Sequence, residues 1–170
     1  MIDRVLIDTL NLRSRDFAVR WKDAIRKHPH LKHFNEMSDE ALLEVNTNYY
    51  SLLARTLDRG LDRSHVGEFF VSLGKTRMKG GFPMSEMVFA LSLTQQTVIE
   101  YIMTEFAPEN PMRMYQSMGV LTKVADFFLL GSFYLTKGFL EETYKHLKSH
   151  DEISNELLNK YFKDDFFFKD

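Results

Sequence analysis

Residues 111–146 read PMRMYQSMGVLTKVADFFLLGSFYLTKGFLEETYKH, and this stretch decides the fold. Asn110-Pro111 is a strong start signal, an N-cap followed by a proline at the first helical position, where its missing amide costs nothing. No proline follows, so one helix is predicted from Pro111 to between His146 and Lys148. At 1.5 Å per residue it would span about 50 Å, longer than a compact domain of this size requires. Tyr115, Met118, Thr122, Ala125 and Leu129 form one stripe at helical spacing; Leu121, Val124, Phe128, Leu135 and Phe139 form a second. Between Phe127 and Leu140 the helix is apolar nearly all round, which a surface helix is not. Two arrangements accommodate this: a central helix covered on both sides by its own chain, or a stripe packed on a second copy. Ala125, Gly131, Ser132 and Gly138 would permit close backbone approach, at a helix-propensity cost of roughly 1 kcal/mol per glycine. A dimer seam of this kind is assigned to Phe127, Phe128, Gly131, Leu135 and Phe139, and the excess length of the helix favours it.

Working outward, the rest of the chain is punctuated as helices too. A first helix is expected from about Ile2 to Lys27, with a break near Ser14, ended by Pro29. Ser38, followed by Asp39 and Glu40, opens a second: the hydroxyl can cap free amides and the acids suit the positive end of the dipole. Gly60 stops it. A third helix starts at Asp62 or Ser64 and closes at Gly80-Gly81; Phe82-Pro83 leads into a fourth that runs towards Pro108. A short helix over 151–163 follows the long one. No period-2 run or hairpin turn interrupts the series, and neither a repeat nor a low-complexity linker divides it. The expectation is an all-α bundle of five or six helices, one long and in the C-terminal half, forming a single helical domain over 1–170.

Composition narrows the function. With no cysteine, thiol catalysis, zinc fingers and iron–sulfur clusters are excluded, and a reducing cytoplasm fits. Net charge is −2, from 22 basic and 24 acidic residues spread along the chain, so no basic arm marks a nucleic-acid partner. The uncharged run from Phe127 to Thr136 is far short of the ~20 apolar residues of a membrane span. A soluble, cytoplasmic protein is expected.

Few residues suggest chemistry. His28, His30 and His33 form an H-x-H-x-x-H cluster of the kind metals use, but Pro29 interrupts the helix, and cationic side chains at a helix C-terminus explain it more cheaply. His65, near Phe69 and Phe70, could serve as an axial haem ligand, yet no second feature marks a haem pocket. The many Phe and Met residues suit a plain core or a small apolar ligand cavity. No nucleophile elbow, E-x-x-H set or glycine-rich phosphate loop is present. No enzyme, cofactor or metal is expected. Arg77 stands where an apolar residue is expected on the Val66–Phe70–Leu73 face, and Glu86 lies just beyond the Gly80-Gly81 turn. An antiparallel helix pair would bring the two together as a corner-locking ion pair; the other reading is a ligand-binding role for Arg77.

Trp21, the Ser38-Asp39-Glu40 opening and above all the pattern Gly74-x-x-Arg77-x-x-x-Gly81-Phe82-x-x-x-Glu86 carry a resemblance. The stretch from Trp21 to Ile102 resembles the RsbRD N-terminal domain family, helical input domains found ahead of STAS domains in stressosome-type regulators and at the front of some bacterial histidine kinases. The resemblance implies a non-enzymatic signal-input or regulatory domain, a homodimer, that contacts a signalling partner or output domain. No STAS or kinase catalytic region follows in this sequence. The expectation is therefore a module that acts on partners or is separate from its output. His150-Asp151, followed by Ile153, Asn155 and Leu157-Leu158, is in turn similar to the phosphoacceptor segment of one histidine-kinase class. That chemistry needs an exposed imidazole beside an acid. The rival reading is a surface helix capped by Asp151.

Overall fold

The computed structural model describes residues 2–105 and 111–162. Every regular element among the described residues is an α-helix. There are eight rather than five or six: α1 (Ile2–Leu12), α2 (Ser14–Arg26), α3 (Lys32–Asn35), α4 (Asp39–Arg59), α5 (Arg63–Lys79), α6 (Met84–Glu105), α7 (Pro111–Lys148) and α8 (Asn155–Phe162). The surplus has local causes. The break expected near Ser14 falls at Arg13, which leaves helical geometry (φ −120°, ψ 23°) and makes two helices of the first. After Pro29 the chain makes an extra helical turn, α3, which buries Phe34. The short terminal helix starts later than predicted, because residues 151–153 form a turn and Ser154, not Asp151, caps α8 by accepting the Leu157 amide at 3.1 Å. Other boundaries follow the expected chemistry. Ser38 Oγ accepts from the Ala41 amide at 3.2 Å, and Gly60 ends α4 at φ 90°. Asn110 and Pro108 lie outside the described residues.

The chain forms two compact units, and α6 and α7 each contribute to both. The first unit comprises Met1–Asp62 and Phe89–Leu129. Within it α4 packs against α1 and α2, burying Leu6, Leu10, Phe17, Leu42 and Leu53. Phe17 stands 5.2 Å from the ring of Tyr50 and 5.0 Å from that of Tyr101, tying α2 to α4 and α6. Asn46 donates to Thr94 Oγ1 at 3.0 Å, a buried polar link between α4 and α6. Burial, with Tyr49 adding, pushes the Tyr50 phenol well above its ordinary pKa; Asn46, one turn away, offsets part of that.

The second unit comprises Arg63–Val88 and Leu130–Asp170. Here α5 and α7 meet backbone to backbone. A Cβ on Gly74 would collide with the carbonyl oxygen of Leu135 and lie 2.8 Å from the Phe139 amide nitrogen. One on Gly138 would collide with the Val71 carbonyl oxygen and sit 2.7 Å from the Val71 Cα. Each glycine is a hole filled by the opposite main chain. Gly131 is filled more softly, by the ring of Phe70.

Candidate functional site

The corner between α5 and α6 is built by its sequence. Gly81 adopts φ 76°, a left-handed conformation that a side chain would disfavour. It lets the Phe82 amide donate to the Arg77 carbonyl at 3.1 Å while the Gly81 amide donates to that of Met78 at 3.0 Å. These are the two bonds of a Schellman helix ending. In place of the apolar contact that often accompanies such an ending, the Arg77 guanidinium stands over the Phe82 ring at 4.8 Å. Pro83 then offers its carbonyl to the Met87 amide at 3.2 Å as α6 begins, and Glu86 is buried in the first turn. Gly74, one turn before Arg77, is the contact point with α7. Gly74, Arg77, Gly81 and Glu86 thus belong to one short stretch of the second unit. Trp21 belongs to the first, where it is 1% exposed, donates its indole N–H to the Ala90 carbonyl at 2.9 Å and meets Phe34 edge-on.

The long helix separates cleanly into two faces. At 100° per residue, Val124, Phe127, Phe128, Gly131 and Leu135 fall on one side, and all are buried. Phe139 is half-buried. The residues assigned to a dimer seam therefore face their own chain, and Gly131 and Gly138 serve α5. The opposite face carries Met112, Tyr115, Met118, Thr122 and Leu129, all exposed, with Tyr115 at 78% and Leu129 at 74%. Of the two stripes legible in the sequence, the first is thus outside and the second inside. From Tyr115 to Lys148 the helix is long and apolar enough to cross a membrane by length and composition, and only 33% of its apolar window is buried. It carries an uncovered apolar face.

Other candidates are placed as follows. His28 and His30 stack edge-on at 5.1 Å, each 5.0 Å from the Phe89 ring. No group of three or more His, Asp or Glu among the described residues is arranged to hold a metal. His65 is exposed in the first turn of α5. His150 is exposed, in the turn after α7 rather than on a helix, with its ring 5.1 Å from that of His146.

Two clusters escaped sequence reading. Arg26 donates to the Asn35 carbonyl at 2.8 Å, the Met37 carbonyl at 2.7 Å and Asp39 Oδ1 at 2.8 Å, clamping the end of α2 to the α3–α4 connection. Hydrogen bonds from Arg26, then Lys22, hold the Asp39 carboxyl below its ordinary pKa. In the second unit Glu141, 6% exposed, takes Lys75 Nζ at 2.9 Å and Lys145 Nζ at 3.7 Å. Its Oε2 is buried and has no hydrogen-bond partner among the described residues.

Compared with known proteins, the chain matches no family model, no curated protein and no solved structure.

Proposed function

We propose that the chain is a non-enzymatic signal-input or regulatory module of a bacterial signalling system, acting through protein–protein contacts, and that a second copy of itself covers the outer face of α7. The observation that carries this is the uncovered stripe of Met112, Tyr115, Met118 and Leu129. At their observed exposures these four side chains leave on the order of 500 Å² of apolar surface in water, at the upper end of what a monomer shows. Two copies would remove about 1,000 Å² from such residues alone, and flanking polar contacts would bring the total into the range of a specific interface. A single helix face packed on its own copy meets the two-fold condition that the same patch serve both partners. Gly119, with nothing near its Cβ position, leaves a hollow beside the stripe that a side chain of the second copy can fill. The resemblance of Trp21–Ile102 to RsbRD N-terminal domains supports the same reading. The Gly74–Glu86 corner ends α5 and begins α6, and Gly74 touches α7, so a change in that region would be transmitted to α7. Such transmission requires two arrangements a few kcal/mol apart.

The test is sedimentation equilibrium of the purified chain, with an absorbance scan of the same sample. A colourless dimer that becomes monomeric in Leu129→Asp supports the reading. A monomer in aqueous buffer that binds phosphatidylcholine vesicles would assign the stripe to lipid and overturn it. A Soret band would overturn it in favour of a haem sensor.

A further inference from the structure

In the first unit α2 and α6 enclose a surface cleft of about 270 Å³ whose two walls differ in chemistry. The α2 wall is cationic: Arg20, Lys27 and His28 line it. Among the described residues the Arg20 and Lys27 side chains have no ion-pair or hydrogen-bond partner. Their neighbours on α2 differ, for Lys22 and Arg26 are committed to Asp39. Arg20 and Lys27 thus line the cleft, while Lys22 and Arg26 are held by Asp39. Arg20 and Lys27 are seven residues apart, about 10 Å along the helix. Ala24, midway between them, is too small to fill the space, which is why a cleft exists. The His28 imidazole is held at the rim by edge-on contacts with Phe89 and His30.

The α6 wall is uncharged or acidic. Thr97 is buried and donates its hydroxyl proton to the Leu93 carbonyl at 2.8 Å, leaving its lone pairs to accept. Gln96 donates to Glu100 at 2.8 Å, which fixes the carboxylate and still leaves it acceptor capacity. One wall therefore suits an anion and the other suits hydroxyl donors. The volume lies just under the range of drug-sized pockets and fits a small metabolite.

We propose that this cleft binds a phosphorylated polyol of sugar-phosphate size, its phosphate held by Arg20, Lys27 and His28 and its hydroxyls donating to Glu100 and Thr97. Arginine and lysine are the side chains that take phosphate through charge-assisted hydrogen bonds. The site goes beyond the proposed function, which names no ligand, and it is read on the chain whether or not the chain dimerises.

The experiment is an NMR titration of the isotope-labelled full chain with glucose 6-phosphate and glycerol 3-phosphate, with glucose and inorganic phosphate as comparators. Saturable shifts should centre on Ala24, His28 and Thr97 with either phosphate ester. Replacing Arg20→Gln together with Lys27→Gln, both on exposed side chains, should weaken binding at least about tenfold. Ala24→Leu should block the cleft while leaving all charges in place. Absence of saturable shifts with both esters overturns the proposal, as does binding that survives the charge-removing pair. Inorganic phosphate binding as tightly as the esters overturns the polyol assignment.

Discussion

Placing one methyl group at each of four glycines should have opposite effects according to what each glycine faces. At Gly74 and Gly138 the added Cβ meets backbone of the facing helix, Leu135 and Val71 respectively, and backbone cannot rotate away. Giving that methyl ordinary van der Waals room requires α5 and α7 to separate by roughly 1 Å, which loosens the contacts on either side. Overpacking of this kind costs about 1–3 kcal/mol, with a rigid obstacle at the upper end, while the gain in helix propensity from glycine to alanine returns about 1 kcal/mol. The net is a loss of about 2 kcal/mol for Gly74→Ala or Gly138→Ala, a fall in melting temperature of about 4–8 °C for a chain of this length. Gly131→Ala meets only the Phe70 ring, which can shift, and should lose less. Gly119→Ala faces open space and keeps the propensity gain, so it should raise the melting temperature by about 2–4 °C. Circular dichroism melts of the four variants, at concentrations below any self-association, read the order directly. Equal effects at Gly74, Gly138 and Gly119 would refute backbone contact between α5 and α7.

Further outcomes follow from other contacts. Lys75→Met should cost about 3 kcal/mol by leaving the Glu141 carboxylate buried without its closest cation, and adding Glu141→Leu should recover most of it; urea unfolding of both reads this. Trp21→Phe should lose about 2 kcal/mol, from the bond to Ala90 and the volume of the indole together, measured the same way. Arg77→Gln and Glu86→Gln should be non-additive in a double-mutant cycle, and strict additivity would refute the expectation from their spacing that the two side chains pair. Because the Asp39 carboxyl is held below its ordinary value, its stabilisation is present above the unfolded pKa of about 4 and is lost as pH falls through the lower folded value. The stability gap between the chain and Asp39→Asn should therefore stay constant from neutral pH down to about 5 and close below about 4 in acid-unfolding curves.

Helix type and most helix ends were readable because they rest on local chemistry. Ser38, Gly60 and Gly81 act through hydrogen bonds and backbone angles within a few residues of themselves. The break near Ser14 was readable, but the extra turn after Pro29 was harder, since it is ordered by the burial of Leu31 and Phe34. On α7 the sequence showed two apolar stripes but carried nothing to say which would meet α5 and which would meet water. That choice is made by non-local contacts, Gly74 with Leu135 and Gly138 with Val71, which periodicity does not encode. The same limit hid Lys75 and Glu141, 66 residues apart and joined only by folding. The α2–α6 cleft was likewise invisible, because an alanine marks a hollow only once its neighbours are in place.

The central claim, that the outer face of α7 packs on a second copy, is most directly tested by dipolar spin-label distances. The chain has no cysteine, so a single one placed at Met118, Thr122 or Leu129 gives one label per copy. The account predicts an intermolecular distance at all three positions, shortest near the two-fold axis, and a longer or absent one from a control label at Glu40 on α4. No intermolecular coupling on α7, or a shorter distance at Glu40 than at any of the three, would contradict it.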